Sequence, residues 1–439
     1  MEFLSSKIKT KKANVAVIGL GYVGLPLLLT LSKLGFKSFG IDKNLQKVAS
    51  LNSGEVDFFK NTPTVTKFLR TALSKKNFKI TDDFSSIREC DFIFIAIDTP
   101  ILKNRKPDLK NLIKVSRSIG RNIAKKSTVI VESTVSPGVS QSLIARLIEK
   151  ESKLKPNKDF YVVVCSERVR PSHDVFKDLK HFPRVLGVPK LEIAAPVKLL
   201  YSYITKGEIN VTDCITAEIV KTAENAYRDV KIAFINELAI ICEQMGANVW
   251  GVKDLINKRY GREDMLAPGT GVGGHCIPKD PWLLTSAINS KKTTLIPAAR
   301  NINDRMPLHL YELIKRAIRI HKGKIISPKL AILGYSYIEN SEDARNSPTE
   351  SLVKLLKSKR LNFKIHDPYV NSYSKVTLEW LLKGSDILIL MVAHNSYKKL
   401  NLSKTGTLMR NKIIIDGKNL FDKEQAQKKG FTYLGVGNV

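Results

Sequence analysis

The stretch Asn14-Val-Ala-Val-Ile-Gly-Leu-Gly-Tyr-Val-Gly24 decides the fold. Asn14 to Ile18 is a short β-branched run that reads as a buried strand. Gly19-Leu-Gly21-Tyr22-Val23-Gly24 follows at once, and Pro26 to Leu34 reads as a helix closed by Gly35. Strand, glycine turn and helix in that order make a cradle for phosphate. Gly19 permits the tight turn, Gly21 leaves the backbone open to a pyrophosphate, and Gly24 lets helix and strand pack closely. The helix N-terminus adds amide donors and a favourable dipole. Lys37 to Ile41 reads as the next strand, and Asp42 ends it. A carboxylate there takes the ribose 2′-hydroxyl of NAD and repels the 2′-phosphate of NADP. The glycine triplet alone is a weak signal; with this strand, helix and acid around it, it marks a dinucleotide site.

Working outward, apolar runs at Asp91–Ile97, Thr128–Val131 and Tyr161–Val164 alternate with helical patterns. This predicts a parallel, doubly wound sheet. The texture changes near Asp213. Thr216 to Met245 is one long helical pattern without Pro or internal Gly. Glu218, Lys221, Asn225 and Arg228 fall on one face of it, and Ile219, Ala223, Ala226, Val230 and Ala233 mark an apolar stripe. A helix of that length crosses the middle of a large protein or forms an interface. A second α/β section begins near Pro328. Lys329–Gly334, Phe363–Asp367, Asp386–Val392 and Lys412–Asp416 read as strands, and Pro348–Lys357 as a helix. The order is therefore α/β, helical, α/β.

At 439 residues the chain holds two or three domains. No apolar run is long enough to span a membrane, and Met1 to Lys12 has no apolar signal core, which points to the cytoplasm. Cys90, Cys165, Cys214, Cys242 and Cys276 are scattered and odd in number, so neither a disulfide framework nor a metal cluster is expected. The formal net charge of +31 is spread along the chain without a basic arm. It reads as a lysine-rich surface rather than a nucleic-acid or membrane site.

Gly271-Val-Gly273-Gly-His-Cys276-Ile-Pro-Lys279-Asp280-Pro281 carries the chemistry. A cysteine in a glycine-rich turn with charged neighbours suits a nucleophilic thiolate, although a structural cysteine fits the segment equally well. Together with a dinucleotide site the thiol gains a use. An aldehyde captured by Cys276 becomes a thiohemiacetal, gives up a second hydride, and leaves a thioester for water to hydrolyse. That path needs a cation for the oxygen and a carboxylate to manage water. Lys221 and Asn225, one helical turn apart, suit the oxygen; on their own they would read as a solvated helix face.

Gly19-Leu-Gly-Tyr-Val-Gly-Leu-Pro26, Glu132-Ser-Thr-Val135, Glu218-Ile-Val-Lys-Thr-Ala-Glu-Asn225, Phe234-Ile-Asn-Glu-Leu238 and Gly273-Gly-His-Cys-Ile-Pro-Lys-Asp280 occur in this order. Together with Asp343-Ala-Arg-Asn-Ser-Pro348, His366-Asp-Pro368 and Asp416-Gly-Lys-Asn419, the chain resembles the UDP-glucose/GDP-mannose dehydrogenase family from about residue 13 to 425. The resemblance implies an α/β fold: two Rossmann-like domains with parallel sheets, joined by a long central helix that forms a homodimer interface. It implies an NAD-binding domain at 1–207, a central helical domain at 208–318 carrying the catalytic cysteine, and a UDP-sugar-binding domain at 319–439. It implies Cys276 as nucleophile, Lys221 and Asn225 at the oxyanion, Asp280 moving protons, and Glu167 as the hydrolytic glutamate. Thr99 and Thr134 would join Gly19, Gly21, Tyr22, Val23, Gly24 and Asp42 around the cofactor, with Glu132 nearby. Arg345, Lys279 and Gly273 would meet the sugar nucleotide.

The chain departs from the family pattern at Asp98, at Cys165-Ser-Glu167, and at Ile338, where a lysine often lies. His275 and Ile277 beside Cys276 resemble the branch that oxidises UDP-N-acetylhexosamines. The resemblance leans to UDP-N-acetylmannosamine, with UDP-N-acetylglucosamine and UDP-glucose as alternatives. A two-electron hydroxyacid-type dehydrogenase with a structural Cys276 is a further one.

Overall fold

The computed structural model describes residues 2–59, 62–169, 174–261, 263–288, 292–321 and 325–438. The chain divides into two compact units, residues 1–224 with 282–289 and residues 225–281 with 290–439. The long helix Cys214–Met245 contributes to both.

The first unit is built on eight strands: β1 (Asn14–Ile18), β2 (Lys37–Ile41), β3 (Phe78–Thr81), β4 (Phe92–Ile95), β5 (Thr128–Val131), β6 (Tyr161–Val164), β7 (Arg184–Val188) and β8 (Ile209–Asp213). Their order in the sheet is β3-β2-β1-β4-β5-β6-β7-β8. The first six run parallel in the order 3-2-1-4-5-6, which is the dinucleotide-binding arrangement. Val15, Val17, Phe92 and Phe94 face one core, and Ala16, Ile18, Ile93 and Ile95 the other. That is why these strands are apolar throughout instead of alternating. The predicted parallel sheet is extended by two strands that the sequence reading did not place: β7 meets β6 antiparallel, and β8 pairs with β7 in parallel. The helix predicted from Pro26 starts two residues earlier, at Gly24, and Gly35 closes it with φ +96°.

The second unit is built on β9 (Lys329–Leu333), β10 (Asn362–His366), β11 (Ile387–Leu390), β12 (Ile413–Asp416) and β13 (Thr432–Gly435), all parallel, in the order β10-β9-β11-β12-β13. This is the other common doubly wound order, and it places a switch point between β9 and β11. The helix Leu295–Ile320 packs Met306, Leu310, Leu313 and Ile314 into this unit's core.

The long helix differs from its predicted stripe. Ala226 and Ala233 are buried, but Ile219 is exposed. Ile235 is buried with the two alanines, but other large apolar side chains form a second, outward face: Tyr227, Phe234, Ile241 and Met245 are 63%, 57%, 51% and 78% exposed. No helix among the described residues is long and apolar enough to cross a membrane.

Candidate active site

In the first unit the glycine turn does what its sequence requires. Gly19 has φ +93°, and a Cβ there would lie 2.6 Å from the Ala96 carbonyl oxygen. A Cβ on Gly24 would come within 1.8 Å of the Gly19 oxygen, whereas one on Gly21 would meet nothing within 4 Å. Gly19 and Gly24 are therefore glycine for packing, and Gly21 lines open space where a pyrophosphate can reach the backbone. The helix Gly24–Lys33 begins at this turn.

Asp42 ends β2 and is 7% exposed. Its Oδ2 accepts from the Leu20 amide at 2.9 Å and from Lys47 Nζ at 2.9 Å, and its Oδ1 accepts from the Asn44 amide at 3.0 Å. Burial works against its charge, but the Asn44 amide, the Lys47 ammonium and the Leu20 amide outweigh burial. They hold the carboxyl below its ordinary range. Asp42 is thus a fixed anion that also ties the glycine turn to β2. At the ends of β4 and β5, the buried Thr99 hydroxyl donates to the Thr134 carbonyl at 2.6 Å. Asp98, which departs from the family pattern, is exposed.

Glu167 is 9% exposed; its Oε2 accepts from the Val169 amide at 2.6 Å, and its Oε1 lies 3.9 Å from Lys221 Nζ. The predicted hydrolytic carboxylate and the predicted oxyanion lysine are therefore an ion pair. Behind them sits a cluster that sequence reasoning missed. Glu132, Arg184 and Tyr201 are each at most 1% exposed. The Tyr201 hydroxyl donates to Glu132, and Arg184 Nη1 reaches Glu132 Oε2 at 3.5 Å. Burial pushes the Glu132 carboxyl above its ordinary range, against the pull of Arg184 and the Tyr201 bond. Glu132 itself was expected near the cofactor, but Arg184 and Tyr201 lie 52 and 69 residues away in sequence, beyond any local pattern.

In the second unit Cys276 opens the helix Cys276–Thr285. It is half-buried, whereas Cys90, Cys165, Cys214 and Cys242 are all buried. A helix N-terminus offers partial positive charge to a thiolate. Asp280 lies one turn further along the same helix, fully buried, and accepts from Asn225 Nδ2 at 2.5 Å. Lys279 Nζ is 3.5 Å from its other oxygen. The structure thus brings together Cys276, Lys279, Asp280 and Asn225, and Lys221 lies one turn before Asn225 on the long helix.

The turn before the thiol is held on several sides. Gly271 and Gly274 have φ +123° and +86°. A Cβ on Gly273 would come within 2.4 Å of Tyr337 Cβ, and one on Gly274 within 2.8 Å of the Tyr337 ring. Gly273, expected to meet substrate, is therefore glycine because the Tyr337 loop packs on it. Burial pushes the Tyr337 phenol up to about 12, so it stays protonated. Further back, the Gly269 amide donates to Asn236 Oδ1 at 2.9 Å, and Asn236 donates to Asn303, which in turn donates to Asp229 Oδ1 at 2.8 Å. Arg300 Nη1 donates to the same Asp229 oxygen at 2.6 Å and pairs also with Asp304. Arg345 forks onto Asp343, with Nε at 2.9 Å and Nη2 at 2.6 Å, and its guanidinium remains partly exposed.

Comparison with known proteins agrees along the whole chain. Residues 13–205, 215–305 and 331–423 match the NAD binding, central and UDP binding domains of the UDP-glucose/GDP-mannose dehydrogenase family. UDP-N-acetyl-D-mannosamine dehydrogenase of Pyrococcus horikoshii is 35% identical over 425 residues, covering 97% of this chain and 99% of its own. Its solved structure superposes with a TM-score of 0.90. The enzyme of the same name from Methanocaldococcus jannaschii is 35% identical, covering 97% and 96%. An NDP-N-acetyl-D-galactosaminuronic acid dehydrogenase structure from Methanosarcina mazei is 31% identical, covers 99% and 97%, and has a TM-score of 0.87. The chain belongs to the UDP-glucose/GDP-mannose dehydrogenase family. It is an NAD-dependent nucleotide-sugar dehydrogenase that takes a UDP-sugar.

Proposed function

We propose that this enzyme oxidises C6 of a UDP-N-acetylhexosamine, UDP-N-acetyl-D-mannosamine first among them, to the uronic acid in four electrons. The observation that carries this reading is Cys276: the one cysteine of five that is not buried, at a helix N-terminus, with Asp280 one turn behind it on an Asn225 bond.

The glycine turn Gly19–Gly24 would hold the pyrophosphate of NAD, Asp42 the ribose, and Thr99 and Thr134 the nicotinamide end. The open space at Gly21 and the fixed Asp42 carboxylate fit that group. When bound, NAD takes up the hydride of each oxidation, two per substrate. Loss of a hydride and the hydroxyl proton turns the C6 alcohol into an aldehyde. The Cys276 thiolate adds to the carbonyl carbon and forms a C–S bond, and the oxygen becomes negative. The Lys221 ammonium and the Asn225 amide stabilise that charge. Loss of the second hydride leaves a thioester. Glu167 takes a proton from water, the water oxygen adds, and the C–S bond breaks to release the uronate and restore the thiol. Asp280 holds or moves the proton at Cys276.

The enzyme works in this reading as a cytoplasmic homodimer through the long helix. The outward stripe Tyr227, Phe234 and Ile241, spaced seven residues apart with Met245 beyond, supports that interface. His275 and Ile277, together with the names of the relatives, support the N-acetylhexosamine branch. The test is NADH release over a panel of UDP-sugars, with product mass. Two NADH per UDP-N-acetylmannosamine and a mass gain of one oxygen with loss of two hydrogens are expected. One NADH per substrate, or preference for UDP-glucose, would overturn the reaction or the substrate respectively.

A further inference from the structure

Within the second unit, a loop from Gly334 to Ser347 leaves β9 at the switch point of the five-stranded sheet. Gly334, at φ +92°, passes so close to β11's end that a Cβ would lie 2.9 Å from the Val392 amide nitrogen. Beneath this loop His394 and Asp367 are both fully buried. His394 Nδ1 accepts the Asn340 amide at 2.9 Å, which requires that nitrogen to be bare. The ring proton is therefore on Nε2, which points at Asp367 Oδ2 from 3.1 Å, with the Ser336 hydroxyl at 3.4 Å. Asp367 Oδ2 also accepts the Tyr335 and Ser336 amides at 2.6 and 2.9 Å. Its Oδ1 accepts the Tyr369 and Val370 amides at 2.8 and 3.0 Å. The pair thus grips the loop at its start and at its middle.

The far end of the same loop grips the turn before Cys276. The Gly274 amide donates to the Arg345 carbonyl at 2.8 Å, and Asn346 Nδ2 donates to the Gly274 carbonyl at 3.0 Å. Both backbone polar groups of Gly274 are therefore bonded to this loop, and the Tyr337 ring packs over it. The thiol's helix starts two residues on. Neither the Cys276 segment nor the His394 segment fixes this arrangement alone, because the loop transmits one to the other.

We propose that His394 and Asp367 are positioning residues for the Cys276 thiol, acting through the Gly334–Ser347 loop. This rests on the reading of Cys276 as the nucleophile. The neutral ring and its carboxylate set where the loop's Arg345 and Asn346 hold Gly274, and so where the sulfur stands. A displacement of about 1 Å at a reacting atom costs on the order of a hundredfold in rate, so the loop's register matters to the chemistry.

The test uses the full-length enzyme and three variants. His394→Leu removes both ring contacts. His394→Asn keeps an acceptor for the Asn340 amide. Asn346→Gly removes one of the two far-end bonds, that to the Gly274 carbonyl, at an exposed position where φ is +49° and glycine is at ease. The readouts are the rate of Cys276 alkylation by iodoacetamide, located by peptide mass, then kcat and KM for uronate formation, and NAD affinity. His394→Leu and Asn346→Gly should each change the alkylation rate and lower kcat by about tenfold or more, with NAD affinity unchanged. His394→Asn should recover part of both. Should His394→Leu fail to fold, Asn346→Gly and His394→Asn decide alone. Unchanged alkylation and kcat in the folded variants, with only a lower unfolding midpoint, would overturn the proposal and leave a merely structural pair. Altered alkylation with normal uronate formation would keep the positioning pair and instead remove Cys276 from the reaction.

Discussion

Replacing Asp42 by Ala tests the cofactor site, and its size follows from the contacts. Asp42 holds the Leu20 amide, the Asn44 amide and Lys47, and keeps acceptor capacity for a ribose hydroxyl. A hydrogen bond to a charged group is worth about 1.5–3 kcal/mol, and about 1.4 kcal/mol is tenfold in affinity. The Kd for NAD should therefore rise by roughly 10- to 150-fold. The upper part of that range is favoured, because the variant also leaves the buried Leu20 amide without its acceptor and loosens the glycine turn. NADP should lose less, since its 2′-phosphate no longer meets a carboxylate and Lys47 is released to meet it. The NAD preference should narrow. Fluorescence titration of both cofactors into the variant measures this. An unchanged NAD affinity would refute the reasoning and place the ribose elsewhere.

Three further outcomes follow from the same contacts. Asp229→Ala leaves the buried Arg300 with only the half-exposed Asp304 and takes from Asn303 its carboxylate acceptor, and should lower the denaturation free energy of the second unit by about 3 kcal/mol, read from urea unfolding. Burial pushes the thiols of Cys90, Cys165 and Cys214 up to about 12, so at pH 8 only on the order of one in ten thousand of each is thiolate. Iodoacetamide at pH 8 should therefore label Cys276 in the native chain and spare Cys90, Cys165 and Cys214, reaching these three only on unfolding or as the pH rises toward their raised values, while Cys242 is shielded by burial; rapid labelling of Cys165 would contradict this. Arg345→Ala should raise the KM for the UDP-sugar strongly while NAD affinity stays the same, because its guanidinium lies in the unit that holds the UDP-binding domain; a fall in NAD affinity alone would reverse the assignment of cofactor and sugar nucleotide.

The parts legible in the sequence are those whose cause is local. β1, β4, β5 and β6 were visible because strands buried on both faces are apolar at nearly every position, and β2 because Asp42 ends it at the expected distance from the glycine turn. β3 was not, since Lys79 is exposed between the buried Phe78 and Ile80 and the run is only four residues long. β8 hid for a related reason: as an edge strand it is mostly exposed. The antiparallel meeting of β6 and β7 has no local signal at all. In the site, the Gly19–Gly24 turn and Cys276 announce themselves because glycine spacing and a thiol next to glycines are local demands. The Glu132–Arg184–Tyr201 cluster and the His394–Asp367 pair do not, since each closes a bond across many residues of chain. The long helix misled the stripe reading because it carries two apolar faces, one turned inward with Ala226, Ala233 and Ile235 and one turned outward with Tyr227, Phe234 and Ile241.

The central claim is that the thiol of Cys276 carries the sugar between its two oxidations. Product analysis of Cys276→Ala with a UDP-N-acetylhexosamine and NAD tests it most directly. The account predicts a folded variant that binds NAD as the parent does and forms no uronic acid. Uronic acid formed at the parent's rate, with two NADH per sugar, would contradict it.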